Sequence, residues 1–369
     1  MSHQPHALII GAGAIGSFYG AILKRAGCTV SAVVRSEYDA VKAHGFRFES
    51  PLGDISWKPD YLYKDGDRPD STPDYVILAT KVLPGSDRAG LVRPWVGEGT
   101  NIVLIQNGLD IERELADAFP DNPIISCLAF IAVSRVAPGE IKHNAYGRLV
   151  MGRYPSGLDD HCQALSDLFV EGGIDIKLTE EVVRERWLKC VWNTPFNPLS
   201  VLANGADTYT MLDTAGGEKL VREMMQEVID AAEADGHPLP PQIIDSNIDG
   251  TRKMPAYKNS MALDYLNDRP IELDAILGNA VRLFTDDGTP HLGTSLGDGM
   301  GSPYPVLFDQ DLHLCRFATL VSLADSQALQ LPISPTDPLQ LEIPNEAEGE
   351  LPTQVTPATL HWPEFQEPG

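Results

Sequence analysis

Three polar side chains recur at an interval of four residues in the stretch Glu180 to Leu202, EEVVRERWLKCVWNTPFNPLSVL: Lys189, Asn193 and Asn197. At about 100° per residue, positions four and eight apart drift only ~40° and ~80° around a helix, so the three groups look into one space. The other faces carry Val182, Val183, Trp187, Leu188, Val191 and Trp192. A long cation on a helix that is otherwise largely apolar needs an anionic or carbonyl-like group to meet it. The chemistry on offer is proton donation to a carbonyl oxygen, with two neutral amides able to donate to and accept from whatever reacts. The bland alternative has Lys189 reaching solvent and the asparagines satisfying nearby backbone. Pro195 lies between the two asparagines. It removes an N–H and crowds the carbonyl of Val191, which predicts a kink there. Trp187, Trp192 and Phe196 suggest either a bulky aromatic pocket or plain core.

The elements that must position this helix begin at the chain's start. The apolar strand Ala7 to Ile10 runs directly into Gly11-Ala-Gly13-Ala14-Ile15-Gly16 and then into a helical run. In the order strand, glycine turn, helix, Gly11 makes the tight turn, Gly13 lets backbone approach a pyrophosphate, and Gly16 packs helix on strand. The free N–H groups and dipole of the helix N-terminus then favour the anion. Thr29 to Val34 reads as the second parallel strand and ends on Arg35, which suits a ribose 2'-phosphate and hence NADP(H); Glu37, two residues on, is the competing acceptor for a free hydroxyl. Asp74 to Thr80 returns to the parallel sheet and ends on Lys81, and Asn101 to Gln106 ends on Asn107-Gly108. Both stand at the carboxyl edge where open α/β sheets bind ligands, although Asn107 also suits a simple turn. Phe46 to Trp57 reads as an antiparallel excursion, Ile124 to Val133 and Glu140 to Gly152 as further strands, and Asp159 to Val170 as an amphipathic helix. A helix from Gly216 to Asp235 places Leu220, Met224, Val228 and Ile229 in a core.

Composition narrows the class of function. The chain has 369 residues with 52 acidic against 28 basic side chains, a formal net charge of -24. Such a field repels nucleic acid and anionic membrane surfaces, so neither is expected as a partner and positive groups must be gathered locally to hold an anionic ligand. The five cysteines form no C-x-x-C pair and no cluster with metal spacing, so neither a disulfide framework nor a metal is expected. The N-terminus lacks the basic region of a signal peptide and no membrane span is found, which points to a cytoplasmic protein. Oligomeric state is not legible; a homodimer is the working expectation.

The opening GAGAIGS, the ATK strand end, the QNG turn, the K-x-x-x-N-x-x-x-N-P-L segment, and S-M-x-x-D followed by P-x-E-x-D in SMALDYLNDRPIELDAILGNAVRLF resemble the ketopantoate reductase (2-dehydropantoate 2-reductase) family over residues 7–290. The resemblance implies an α/β fold, a Rossmann-type doubly wound sheet followed by an all-helical domain, with the site in the cleft between them. It also implies NADPH-dependent reduction of a 2-keto acid, serving pantothenate synthesis, with Lys189 as general acid and Glu272, Asn193, Asn197 and Ser260 placing the substrate. Glu272 follows Pro270 in what reads as a first helical turn, where the dipole favours an ionised carboxylate. The cofactor set is then Gly11, Gly13, Ala14, Ile15, Gly16, Arg35, Lys81 and Asn107.

The expected organisation is a cofactor domain over 1–178, a helical catalytic domain over 179–290 and a divergent region over 291–369. In the last, HLGTSLGDGMGSPYP interrupts the family pattern, Phe308 to Leu329 reads as a substitute helix, and from Pro332 a segment rich in Pro and Glu reads as a disordered acidic tail. Three readings stay open: the ketopantoate reaction, the same mechanism on another keto acid or carbonyl, and a catalytically silent NADPH-binding sensor. A sensor has no need of the proton donor Lys189.

Overall fold

The computed structural model describes residues 4–285, Asp70 excepted. Expectations for the segment beyond, including the helix at Phe308 and the acidic tail, lie outside the described residues.

The first half opens with β1 (His6–Ile10), α1 (Ala14–Arg25), β2 (Thr29–Val33) and α2 (Tyr38–His44), followed by β3 (Phe46–Glu49), β4 (Ile55–Trp57) and β5 (Tyr61–Tyr63). It continues through β6 (Tyr75–Leu78), α3 (Arg88–Val92), β7 (Asn101–Ile105) and α4 (Arg113–Ala118) to β8 (Ile124–Ala137), β9 (Glu140–Arg153), α5 (Asp160–Glu171) and β10 (Ile176–Leu178). The strands form one sheet in the order β4-β3-β9-β8-β7-β6-β1-β2-β5, with β10 on β9. β2, β1, β6, β7 and β8 run parallel, whereas β3–β4 and β8–β9 are antiparallel pairs. The excursion expected at Phe46 to Trp57 is the β3–β4 pair.

The strands at the centre are continuously apolar because both faces are covered. Ala7 and Ile9 of β1, Tyr75 and Ile77 of β6 and Val103 and Ile105 of β7 enter the core under α1 and α5. Their neighbours Leu8, Ile10, Val76, Leu78, Ile102 and Leu104 enter the opposite core with Val92 and Leu115 of α3 and α4. This is the doubly wound arrangement expected from the sequence. The chain leaves β1 toward β2 on one side and returns to β6 on the other, so the crevice at the switch point opens beside the turn after β1.

The second half is helical: α6 (Val182–Leu202), α7 (Thr208–Asp213), α8 (Gly217–Ala234), α9 (Ile243–Lys253), α10 (Ser260–Leu266), a π-helical turn at Asp274–Gly278 and α11 (Asn279–Thr285). α6 continues as helix through Pro195 and through a second proline, Pro198. Trp187, Val191 and Phe196 of α6 pack with Val221, Met225 and Val228 of α8 and Ile243 and Ile248 of α9. The stripe expected on α8 is rotated by one residue in its first turns. Val221 and Met225 are buried, and Leu220 and Met224 are only half-buried. The α6 contact sets the phase, and the apolar pairs Leu220-Val221 and Met224-Met225 let either register satisfy the helical period. Among the described residues no helix is long and apolar enough to cross a membrane.

Leu109, just past the strand β7, joins the helical core, and its N–H donates to the Ala275 carbonyl at 3.0 Å. The carboxyl edge of the sheet is thereby fixed against the helical half. At the switch point Gly11 has φ +83°, and a Cβ there would stand 2.6 Å from Thr80 Cγ2 and 2.8 Å from the Thr80 nitrogen. Both the conformation and the space exclude a side chain. Gly11→Ala is expected to lower stability by roughly 1–3 kcal/mol, read as a lower urea midpoint at unchanged slope.

Candidate active site

A cleft of about 2040 Å³ opens between the carboxyl edge of the sheet and the helical half. From the sheet side it is lined by Gly11, Gly13, Ala14 and Ile15 of the glycine turn, by Arg35 past β2, by Lys81 past β6 and by Asn107 past β7. From the helical side come Lys189, Asn193 and Asn197 of α6, Ser260 of α10 and Glu272 before the π-helical turn. Gly16 is buried beneath the turn, where a Cβ would lie 2.5 Å from the Gly11 carbonyl oxygen; its part is packing.

Lys189 is held by neutral oxygens. Its Nζ donates to Asn107 Oδ1 at 2.7 Å and to the Ala129 carbonyl of β8 at 2.7 Å, and it lies 5.1 Å from the centre of the Phe130 ring. No carboxylate pairs with it among the described residues. Burial, helped by the nearby Arg186 charge, pulls its ammonium down to about 8. An ammonium has three N–H donors, so one remains beyond these two contacts.

Glu272 departs from its expected setting. The backbone after it forms a π-helical turn beginning at Asp274, so Glu272 lies ahead of any first helical turn. Its carboxylate accepts from the Val82 N–H at 2.9 Å, and burial, opposed by that bond and by the Lys81 charge, pushes it up to about 7. Loss of solvation therefore outweighs any dipole effect.

Lys81 is committed to the helical half. Its Nζ lies 2.6 Å from Asp264 Oδ2 and donates to the Pro270 carbonyl at 2.8 Å. It therefore straps the end of β6 to α10, and its charge on the cleft is largely answered. Asp264 was within reach of sequence reading, since it is the acid of S-M-x-x-D. Asn107, expected as a cofactor or turn residue, is an acceptor for Lys189. Among the described residues Asn197 Oδ1 is buried with no hydrogen-bond partner, as is Asn247 Nδ2 of α9, and both residues line the cleft. Ser260 is exposed on the cleft wall, one residue after Asn259, whose side chain caps α10 by accepting from the Ala262 N–H at 2.8 Å.

The glycine turn fits a dinucleotide. A Cβ at Gly13 would meet nothing within 4 Å, so the backbone at the N-terminus of α1 faces open space in the cleft. At the far end Arg35 is exposed. Glu37 lines the same end of the cleft, and its oxygens are occupied by the Arg135 guanidinium and by the Gly139 N–H at 3.0 Å.

Beneath the site lies a buried network that the sequence does not announce. Arg186, one turn before Lys189 on α6, pairs with Glu112 and donates to Ser126 Oγ at 2.8 Å. Its Nη1 donates to the carbonyls of Gln106 at 2.9 Å and Gly108 at 3.0 Å, the residues on either side of Asn107. Both charged side chains are at most 2% exposed. Arg186 thus clamps the turn that presents the acceptor for Lys189.

The same architecture is found in known proteins. The sequence model described as "Ketopantoate reductase PanE/ApbA" matches residues 7–156, and "Ketopantoate reductase PanE/ApbA C terminal" matches residues 181–303. The chain belongs to the ketopantoate reductase family. It is 36% identical over 284 residues to a 2-dehydropantoate 2-reductase of Nostoc sp., covering 76% of this chain and 88% of that relative. The crystal structure of 2-dehydropantoate 2-reductase from Methylococcus capsulatus superposes with a TM-score of 0.74 at 46% identity, covering 88% of this chain and 99% of that one. The corresponding structure from Geobacter metallireducens gives 0.73 at 31% identity, covering 86% and 99%. An α/β sheet domain followed by a helical domain is thus the family's fold.

Removing one partner of the buried pair strands the other charge. Glu112→Ala is expected to cost about 3–5 kcal/mol in chemical denaturation, and the double replacement Arg186→Met with Glu112→Leu to cost clearly less than either single change.

Proposed function

We propose that the protein reduces a 2-keto acid to the corresponding 2-hydroxy acid with NADPH, and that the substrate is ketopantoate, giving pantoate for pantothenate biosynthesis. The observation that carries this reading is the Lys189 ammonium, drawn out of water in the cofactor cleft, held by two neutral oxygens and left with one free N–H donor.

A nicotinamide cofactor held in the cleft would supply the hydride for the ketone carbon. Everything else falls to side chains on the two walls. Lys189 donates its third N–H to the ketone oxygen, polarises it and transfers a proton as negative charge builds there. A pKa near neutrality suits that step, because the proton is present at working pH and still leaves readily. Glu272, also drawn toward neutrality, accepts from a substrate hydroxyl when ionised. Asn193 and Asn197 hold the substrate's polar groups in register, and Ser260 donates to its carboxylate. For the cofactor, the N-terminus of α1 with Gly11, Gly13, Ala14 and Ile15 holds the pyrophosphate, and Arg35 meets the 2'-phosphate. Arg35 and Glu37 both line the cleft past β2, and preference for NADPH is supported by the engagement of the Glu37 oxygens with Arg135 and Gly139 while Arg35 is exposed. Comparable catalytic efficiency with NADH would contradict that preference.

A bulkier keto acid is the second reading. Phe130, Trp192 and Tyr257 line the same cleft, with Trp192 and Tyr257 ring centres 6.5 Å apart. Such a wall accepts an aromatic or branched acyl group.

Lys189→Ala is expected to lower kcat by two orders of magnitude or more (~10²-fold) while NADPH affinity, read by nicotinamide fluorescence, stays near that of the parent; an unchanged kcat removes the proton-donor role. The pH profile follows from the same groups. Reduction needs Lys189 protonated and Glu272 ionised, so kcat/KM should fall above about 8 and below about 7. Oxidation of the hydroxy acid needs Lys189 neutral, so that rate should rise through about 8, and Glu272→Gln should remove the acidic limb of the reductive profile.

A further inference from the structure

Charge is unevenly answered on the substrate side of the cleft. Lys81 is closed by Asp264 at 2.6 Å and Lys177 by Glu185 at 2.8 Å, and Arg184 donates its Nε to the Pro238 carbonyl at 3.1 Å. Arg148 is different. It stands on β9 directly opposite Phe130 of β8, it is half-buried, and its side chain lines the cleft. Among the described residues its guanidinium makes no hydrogen bond and no ion pair; it stands over the Phe130 ring, whose centre lies 4.7 Å from Cζ. The carboxylates whose charge reaches it are Glu185, already held by Lys177, and Asp175. A guanidinium carries five N–H donors in a fixed fork that matches a carboxylate, and partial burial already penalises the Arg148 charge, a penalty that an anionic ligand would offset.

The same Phe130 ring carries the Lys189 ammonium at 5.1 Å. Lys189 and Arg148 are therefore no further apart than those two ring distances laid end to end. A 2-keto acid has its ketone oxygen and its carboxylate on adjacent carbons, and a ketone hydrogen-bonded to an ammonium can reach a guanidinium with that carboxylate across such a gap. In a chain of formal net charge -24, an anionic substrate is helped by cations inside the cleft; Lys189 is engaged at the ketone oxygen in this reading, and Ser260 and the asparagines carry no charge to meet the carboxylate.

We infer that Arg148 is the carboxylate-binding and specificity-determining residue of this site, pairing with the C1 carboxylate of a 2-keto acid whose ketone oxygen is bound by Lys189. This rests on the reading of the cleft as a keto-acid reductase. It adds a charged anchor to the neutral contacts proposed above and makes the negative charge of the substrate, beyond its shape, a condition of good binding.

The test compares a 2-keto acid with its neutral methyl ester or amide in the parent protein, Arg148→Gln and Arg148→Lys. The parent should prefer the acid. Arg148→Gln should reduce the acid-over-ester ratio of kcat/KM by about tenfold or more, chiefly through a higher KM for the acid, and Arg148→Lys should restore part of it. A ratio unaltered in Arg148→Gln overturns the inference, as does an equal loss for acid and ester, which marks a packing role. Should the parent turn over no keto acid, the reductase reading itself fails, and titration calorimetry with oxamate, with and without NADPH, then decides. Oxamate binding to the parent that is lost in Arg148→Gln keeps the carboxylate site. Equal binding to both, or none to the parent, overturns it.

Discussion

The contact of Lys189 with Asn107 and the Ala129 carbonyl joins the two halves of the molecule at the point where chemistry would occur. The ammonium is carried by α6 of the helical half, and both acceptors belong to the carboxyl edge of the sheet. A cation moved out of water retains its charge only if its N–H groups find oxygens. Docking of the halves and poising of the lysine are therefore one event. Were a carboxylate in contact instead, attraction would hold the proton more firmly and raise the pKa; neutral oxygens satisfy the donors with a weaker upward pull, and burial prevails. The result is an ammonium near 8 with a donor to spare.

Arg186 shows the opposite solution one helical turn earlier. It pairs with Glu112, and its other contacts are with Ser126 and the carbonyls around Asn107. One cation is paired with a carboxylate and fixes geometry, and the next is held by neutral oxygens alone. Arg186 also lowers Lys189 electrostatically, so the two act on the same proton by different routes. The Lys81 to Asp264 contact performs a related service at the other side of the cleft, tying the end of β6 to α10 and leaving that wall with little free charge.

Much of the fold was legible because each signal is local. ALII followed by a glycine turn and a helix needs no distant partner to be read, and the alternation of Ala7 and Ile9 against Leu8 and Ile10 between two cores explains why the run is continuously apolar. The common face of Lys189, Asn193 and Asn197 follows from helical period alone, and all three line the cleft. The errors have local causes too. Paired apolar residues at 220–221 and 224–225 made the phase of α8 ambiguous, and the π-helical turn after Glu272 has no signature that distinguishes it from an ordinary helix start. What lay beyond reading depends on separation in the chain. Glu112 and Arg186 meet across 74 residues, and Arg148 faces Phe130 only because of the register of a long hairpin containing bulges. Asp264 is an intermediate case, visible as a motif acid but with its partner Lys81 supplied by the other half.

The most direct measurement of the central claim is NADPH oxidation by the purified protein, followed at the nicotinamide absorbance, with ketopantoate beside a panel of branched and aromatic 2-keto acids. The account predicts saturable turnover of a 2-keto acid, with ketopantoate well above the rest. Tight NADPH binding with no turnover of any member of the panel would contradict it and leave a cofactor-binding protein in which the poised lysine has no substrate to protonate.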